Sequence, residues 1–138
     1  MVELIMVIVI LGILAAVAIP RMDTSGYRAL EFHDKTVAAL RYAQKTATSH
    51  RRMVCVSFPN DYSLQLEIAL SNGAACSTAL PLPGASTNLV VSGDATNAKF
   101  SSGHVSFAFQ PDGTGVDRSI SISGQTAITV AGATGYVQ

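Results

Sequence analysis

The sequence predicts an α+β protein in which a long N-terminal hydrophobic helix packs on a C-terminal head of antiparallel β-strands. Two changes of pattern along the chain lead to this prediction. A strongly apolar segment passes into one of helical periodicity that ends near residue 52, and period-two alternation begins at Met53. A chain of 138 residues has room for one small domain and an appendage. We therefore divide it into an apolar half of the helix (1–20), an amphipathic half (21–52) and the β-rich head (53–138).

The composition argues against two classes of protein. Hydrophobic residues make up 49% and charged residues 13% of the chain, whereas a disordered chain has low hydrophobicity and high net charge. Nine basic residues are balanced by nine acidic ones, which argues against electrostatic binding of nucleic acid. The charges are nevertheless separated, because seven basic and four acidic residues precede Met53 while two and five follow it. The resulting net charges of +3 and −3 favour attraction between copies of the chain.

Residues 4–19 form a candidate membrane helix. These sixteen residues carry no charged or polar side chain. As a helix they would measure about 24 Å, slightly less than the ~30 Å hydrocarbon core of a bilayer. No basic segment precedes them and no small-residue cleavage site follows, so they do not resemble a secretory signal peptide. A helix that is apolar all round also suits burial among identical helices in the core of a fibre.

Glu3 interrupts the apolar stretch near its start. A carboxylate costs about 2.5–3.5 kcal/mol at the centre of a bilayer and less near an end, so an intramembrane acid usually has a partner. The alternative is that Glu3 lies at the level of the lipid headgroups. Farther along, Gly12 permits closer packing of helices, and Pro20 predicts a kink because proline costs about 3 kcal/mol in a helix interior.

Helical periodicity continues through residues 27–50. Leu30, Val37 and Leu40 recur near the spacing of one helical face, which we expect to pack on the head. Glu31 and Lys35 are four residues apart, a spacing that places a favourable ion pair on the outer face of the helix.

From Met53 onward the pattern is that of short antiparallel strands. Segments 53–58 and 62–68 alternate on either side of 59–61 and predict a β-hairpin. Segment 71–87 is rich in Gly, Ala, Pro and Ser and predicts a loop.

The second half of the head predicts further strands. Segment 104–109 directs Val105, Phe107 and Phe109 to one face of a strand. The elements predicted after it are a turn at 111–115, a strand with Ile120 and Ile122 facing inward, and a strand at 128–130.

Segments 2–4, 6–8 and 12–20 read VEL, MVI and GILAAVAIP. In this order and spacing they resemble the N-terminal helix of type IV pilins and of type II secretion pseudopilins. The resemblance implies that a prepilin peptidase removes a leader ending in glycine, and that the new N-terminal phenylalanine is methylated. It also implies that Glu3 pairs with the N-terminal amine of a neighbouring subunit during assembly.

The chain departs from the family pattern at its start. The family places Gly-Phe-Thr-Leu before Val-Glu-Leu, whereas Met1 here occupies the leucine position. The sequence therefore lacks the cleavage site and the methylated phenylalanine. We expect either a truncated chain or a start codon that was assigned too late.

The head is similar to those of one subgroup of that family. Segments 107–115 (FAFQPDGTG), 128–130 (ITV) and 134–137 (TGYV), with helix segment 40–47 (LRYAQKTA), resemble minor pilins and pseudopilins of the GspH/FimT type. Within that group the similarity is greatest to minor subunits of the mannose-sensitive haemagglutinin (MSHA) pilus. The resemblance implies the type IV pilin fold.

The resemblance implies a structural minor pilin and no enzyme. Such a subunit is held in the bacterial inner membrane by its N-terminal helix, with its head in the periplasm, and then joins a pilus that it primes or caps. Its partners are membrane lipid, other pilins, an inner-membrane assembly platform and a prepilin peptidase. A minor pseudopilin of a type II protein secretion system fits the same features. A DNA-binding pilin for DNA uptake is the third interpretation.

Cys55 and Cys76 are the two cysteines of the chain. Their spacing fits neither a CxxC motif nor a zinc site. Heads of this family lie in the periplasm or outside the cell, where disulfides persist, so the resemblance implies that the two cysteines are paired. Two free thiols are the alternative.

Arg41, Lys45 and Arg52 fall near one stripe of the predicted helix. They predict a basic stripe that is solvated or faces another subunit. The alternative is a DNA-contact patch, since some FimT-type pilins bind DNA. Those receptors carry an arginine-containing motif near the C-terminus, whereas residues 134–138 include no basic residue. Nucleic acid is therefore not the favoured partner.

The sequence contains no motif of a serine hydrolase, a zinc protease, a P-loop or a dinucleotide site. It therefore predicts no catalytic residue and no cofactor. Asp112 and Asp117 flank a glycine turn and are the candidates for calcium binding, but Asp-Gly is common in turns for backbone reasons alone. We expect no metal site.

Overall fold

A computed structural model describes residues 1–18, 25–85 and 89–138 of the chain. As predicted for the fold class, they form an α+β structure of helices and antiparallel sheets. The helices in these ranges are α1 (Val2–Ala18) and α2 (Ser25–His50). The strands in these ranges are β1 (Val54–Asn60), β2 (Ser63–Ala69), β3 (Cys76–Ala79), β4 (Leu89–Ser92), β5 (Phe100–Ser102), β6 (Phe107–Phe109), β7 (Arg118–Ile122), β8 (Ile128–Ala131) and β9 (Tyr136–Val137).

Helix α1 is apolar on all sides and 17 residues long, which corresponds to about 26 Å. In the described part of the chain, no helix is both long enough and apolar enough to cross a membrane. The transmembrane helix predicted for residues 1–20 is therefore not found among the described residues. Residues 19 and 20 lie outside the described ranges.

Helix α2 ends at His50, where the predicted helical periodicity of residues 27–50 ends and two residues before the boundary drawn at residue 52. Arg51 follows with a φ of 52°, in the left-handed region that terminates a helix. The backbone N–H of Arg52 then donates a hydrogen bond to the carbonyl oxygen of Ala47 over 3.2 Å. This bond satisfies one of the carbonyl groups that a helix end leaves without a partner.

The buried face of α2 consists largely of small side chains, which allow the helix to lie close to the sheets. The predicted stripe is correct at Leu40, which is fully buried, but wrong at Leu30, which is 45% exposed. The helix is rotated so that Phe32 enters the core instead. The buried residues of α2 are Ala29, Phe32, Thr36, Ala39, Leu40, Ala43, Thr46 and Ala47.

The first sheet has the strand order β3-β2-β1-β6. Strand β4 pairs with the same edge of β2 as β3 does, but at the other end of that strand. The prediction of a continuous loop at 71–87 is therefore wrong, because β3 lies inside it. Residues 86–88 lie outside the described ranges. Strand β3 is mostly exposed and short, so its side chains give no alternating pattern in the sequence.

The hairpin formed by β1 and β2 is present as predicted, with its turn shifted along the chain. Pro59 and Asn60 belong to β1, and Asn60 pairs with Ser63 across a two-residue turn. The side-chain oxygen of Asn60 accepts a hydrogen bond from the backbone N–H of Tyr62 over 3.1 Å. Asparagine often stabilises a turn in this way.

The second sheet has the strand order β5-β7-β8-β9. Ile120 and Ile122 of β7 are buried, which confirms their predicted inward orientation. Strand β9 pairs with β8 through Val137 and Tyr136.

The two sheets and α2 enclose a common hydrophobic core. Phe107 and Phe109 are buried in it, but Val105 is 58% exposed and precedes β6, so the predicted strand begins later than expected. Phe32 of α2 packs on Phe100 of β5 with ring centres 4.8 Å apart. These contacts fix α2 against both sheets, so that side chains on its outer flank keep a defined position relative to β9.

Candidate functional site

The surface of α1 is the largest exposed apolar feature of the described residues. Eleven large apolar side chains within residues 2–14 are each 52–70% exposed. Soluble monomers rarely expose contiguous apolar patches of more than a few hundred Å², and larger patches mark interfaces with proteins or membranes. Because α1 has no polar face to turn towards water, it is a candidate interaction surface along its whole circumference.

Glu3 lies in the first turn of α1, beside a shallow concave patch lined by Met1, Leu4, Val7 and Ile8. The helix N-terminus carries a partial positive charge that favours a carboxylate at this position. No residue in the described ranges forms an ion pair with Glu3. Its carboxylate is therefore available to a cation from outside the chain, and the predicted intersubunit role stays a prediction.

Gly12 faces open space on α1. A Cβ atom at this position would meet no other atom within 4 Å. The single chain therefore does not require glycine here, and the predicted packing role of Gly12 would depend on a second molecule. Pro20, the predicted kink, lies outside the described residues.

Cys55 and Cys76 form a disulfide, with Cα atoms 6.1 Å apart. The prediction of a bonded pair is confirmed, and the alternative of two free thiols is wrong. The bond joins β1 to β3, which lie on either side of β2. It therefore holds the short strand β3 on the first sheet across the central hairpin.

A groove of about 350 Å³ runs between the C-terminal half of α2 and β9. The Nε atom of Arg41 donates a hydrogen bond to the carbonyl oxygen of Val137 over 3.2 Å. The side-chain amide of Gln44 donates a hydrogen bond to the carbonyl oxygen of Thr134 over 2.9 Å. These bonds attach the chain segment around β9 to the helix. The groove is lined by Arg41, Gln44, Lys45, Thr48, Tyr136 and Val137.

The structure brings together two of the three residues of the predicted basic stripe. Arg41 and Lys45 line the groove, whereas Arg52 follows the end of α2 and does not. Sequence analysis missed Tyr136, which is 58% exposed and lines the same groove. It reaches this place because β9 pairs with β8, a long-range contact that the local pattern does not reveal.

A second cavity, of about 220 Å³, lies between the first half of α2 and the segment after β4. Its charges largely cancel, because Arg28 pairs with Asp94 over 3.8 Å and Lys35 pairs with Glu31 over 2.6 Å. The second pair confirms the predicted i,i+4 contact. The hydrogen bond and charge of Lys35 lower the pKa of Glu31.

Asp94 also accepts hydrogen bonds from the backbone N–H groups of Asn97, over 2.6 Å, and Thr96, over 2.9 Å. These bonds, together with the nearby Arg28, lower the pKa of Asp94 below its ordinary value. The charged form of Asp94 is thus the one that the fold stabilises.

The two calcium candidates are engaged in their own turns. One side-chain oxygen of Asp112 accepts hydrogen bonds from the hydroxyl and the backbone N–H of Thr114, which lower the pKa of Asp112. One side-chain oxygen of Asp117 accepts a bond of 2.6 Å from the backbone N–H of Gly132. Across residues 1–18, 25–85 and 89–138, no three His, Cys, Asp or Glu side chains group in a way that could hold a metal ion.

No protein-family profile, curated protein or solved structure matches the chain.

Proposed function

We propose that this chain is a structural minor subunit of a filament of the type IV pilin or type II secretion pseudopilin kind. In this proposal α1 packs against the α1 helices of neighbouring subunits, and the head lies on the filament surface. The observation that carries the proposal is the exposure of large apolar side chains around the whole circumference of α1. The pattern of residues 2–20 supports the same conclusion through its resemblance to pilins.

The exposed surface of α1 is large enough to drive association. Full burial of one large aliphatic side chain contributes about 1.5–3 kcal/mol. Eleven such side chains, already partly covered by their own helix, would contribute on the order of 10 kcal/mol if neighbours covered what remains exposed. This is comparable with the estimated cost of association, about 4–15 kcal/mol. Assembly in water is thus favoured once several helices share a core.

In this proposal Glu3 sets the axial register between neighbouring α1 helices. Lipid tails are as apolar as leucine, so burial of apolar surface alone does not favour helix neighbours over lipid. A carboxylate in an apolar environment favours a neighbouring helix over lipid, because the carboxylate requires a cationic partner that lipid tails lack. The resemblance implies that this partner is the N-terminal amine of the next subunit, and Glu3 has no ion-pair partner among the described residues.

The disulfide supports an oxidising compartment, since such bonds are rare in the cytosol of most organisms. We therefore propose that the head lies in the bacterial periplasm, and that the apolar segment predicted at residues 1–20 holds the subunit at the inner membrane until it joins the fibre. In that setting the partners would be lipid, other pilins, the assembly platform and a prepilin peptidase. A pilus and a secretion pseudopilus fit these features equally, and we expect no catalytic activity from either.

The groove of Arg41 and Lys45 favours a second candidate function, that of a DNA-binding pilin for DNA uptake. Cationic side chains that have no carboxylate partner suit the phosphate backbone of duplex DNA. The test is the affinity of the full chain for duplex DNA. An affinity that falls steeply with salt and is lost in Lys45→Glu would favour this function.

The main proposal is tested by counting surface fibres in a bacterial strain whose own gene is deleted. We expect the wild-type gene to restore fibres, and Glu3→Ala or Ile10→Lys to leave them absent. Leu70→Lys is the matched control for Ile10→Lys, because Leu70 is an apolar residue of similar exposure (65%, against 57% for Ile10) that lies outside α1. Glu31→Ala is the matched control for Glu3→Ala, and both controls should assemble.

Persistence of normal fibres in the deletion strain would refute the pilus interpretation. If protein secretion fails in that strain while fibres remain, the pseudopilin takes its place. If DNA uptake alone fails, the DNA-binding pilin does.

A further inference from the structure

We propose that the groove between α2 and β9 binds the carboxylate of Glu67 from a second copy of this chain. The proposal rests on the proposed function, because packing of α1 helices would bring the heads of neighbouring copies side by side. It adds a specific contact between heads, made by Arg41, Lys45 and Tyr136 of one copy and by Glu67 of the next.

The groove offers two cations, of which Arg41 is held in place by a hydrogen bond. The bond from Arg41 Nε to the Val137 carbonyl oxygen holds the guanidinium against β9 and leaves its terminal nitrogens to other acceptors. Lys45 is exposed one helical turn later on the same flank of α2. Within the described ranges, neither side chain forms an ion pair with a carboxylate. Such a pair of cations is suited to a carboxylate on an otherwise uncharged surface.

Glu67 lies on the face of the first sheet that points away from the core and from α2. It follows the fully buried Leu66 in β2, and successive side chains of a strand alternate between faces. Its neighbours in register are Cys55 of β1 and Ala79 of β3, neither of which carries a charge. Glu67 forms no hydrogen bond or ion pair with another described residue.

Two carboxylates of the described residues have no partner within the chain, Glu3 of α1 and Glu67 of the head. Glu3 is already assigned to the contact between α1 helices, so Glu67 is the carboxylate of the head that is left to bind a neighbour. Of the partners of the other described carboxylates, two are lysine or arginine, two are histidine and two are polar groups of a turn. The pairs are Glu31 with Lys35, Asp94 with Arg28, Asp34 with His33, Asp61 with His104, Asp112 with Thr114 and Asp117 with the backbone of Gly132.

Glu67 cannot reach the groove of its own chain. Helix α2 covers the core-facing side of the first sheet, through contacts with β1, β2, β4 and β6, whereas Glu67 lies on the other side. A contact between the groove of one copy and Glu67 of another therefore joins two different patches. Such a heterologous contact leaves one free patch at each end and repeats into an open linear or helical assembly, as a filament requires.

The expected strength of one contact is modest. Exposed ion pairs change an association constant by up to about fivefold, and salt weakens them. In a filament the α1 helices tether the heads and raise their effective concentration, so a weak contact that repeats at each subunit still determines how the heads pack.

The experiment uses the full chain in detergent micelles, as a mixture of isotopically light and heavy protein. A carbodiimide couples an amine to a carboxylate only when the two are in contact. We expect a Lys45–Glu67 linked peptide that joins light to heavy copies. Lys45→Glu and Glu67→Lys should each lower oligomer formation about fivefold, and the double variant should restore it. Arg52→Glu is the matched control, because Arg52 is basic and lies outside the groove.

The outcomes separate this proposal from the proposed function. If oligomers form without a Lys45–Glu67 link, and both charge reversals behave like Arg52→Glu, the contact is wrong while assembly through α1 stands. If Lys45 is linked to a different carboxylate, Glu67 is the wrong occupant of the groove. If no oligomer forms at any detergent concentration, both proposals fail. Loss of duplex DNA binding in Lys45→Glu without any link between copies would assign the groove to DNA.

Discussion

Replacing both cysteines, as Cys55→Ala/Cys76→Ala, removes the bond that joins β1 to β3. The cysteines are separated by 21 positions, and release of a loop of this size lowers the free energy of unfolding by about 3 kcal/mol. Whole domains are stable by only about 5–15 kcal/mol, so the loss is large. Strand β3 is the element that should loosen, because it is mostly exposed and pairs with β2 at three positions.

Urea unfolding of the full chain in detergent, followed by circular dichroism, measures this change. With a slope of about 1.5 kcal/mol per molar urea, the midpoint should fall by about 2 M. Wild-type protein reduced with dithiothreitol is the control and should show the same shift, because it loses the same constraint. A shift below about 0.5 M in both samples would refute the reasoning. A shift in the alanine variant alone would assign the effect to packing of the new side chains.

Two further predictions concern the segment after β4. Gly93→Ala should lower the free energy of unfolding by about 3 kcal/mol, because its Cβ would overlap the carbonyl oxygen of Ala98 and reach the Phe32 ring. Asp94→Asn should flatten the dependence of thermal stability on pH. The folded pKa of Asp94 is depressed, so its contribution is present above the ordinary aspartate pKa near 4 and is lost as the pH falls below it.

Each of these predictions has a matched control. Gly26→Ala, where a Cβ meets no atom within 4 Å, should leave urea stability unchanged or raise it by up to about 1 kcal/mol. Equal losses in the two glycine variants would contradict the steric argument. For Asp94, melting temperatures between pH 7 and pH 2.5 should converge with those of wild type at the acid end. A constant offset at all pH values would show that the charge of Asp94 is not responsible.

The parts of the fold that the sequence predicts correctly are those with a regular local pattern. The hairpin of β1 and β2 alternates strongly, and Ile120 and Ile122 alternate with serine in β7. Strand β3 escapes prediction because it is held by its neighbour β2 and by the disulfide, while its own side chains are small and exposed. Strand β9 is only two residues long and forms through its pairing with β8.

The buried face of α2 is predicted wrongly at Leu30 for a different reason. Counting large apolar residues favours the face of Leu30, but the face that is buried contains mainly alanine and threonine. Small side chains fit on this face because the helix lies close to two sheets. The need for small side chains follows from the position of the sheets, which the helix sequence alone does not give.

For the candidate site, the unbroken run of apolar residues indicates helix α1, and the family resemblance implies the pairing of Cys55 with Cys76, which is confirmed. The role predicted for Glu3 stays a prediction. The predicted basic stripe places Arg52 with Arg41 and Lys45 because it assumes that the helix continues to residue 52. The left-handed Arg51 ends the helix first and separates Arg52 from the groove.

The groove beside β9 also bears on the order in which the chain folds. Arg41 and Gln44 bind carbonyl groups that lie 96 and 90 residues farther along the sequence. Such distant contacts form late, because a long loop must first be closed. During synthesis, α2 leaves the ribosome well before residues 134–137 have been made. The flank of α2 therefore stays uncovered until β9 docks, and a newly made subunit cannot offer its basic groove to another before β9 is in place.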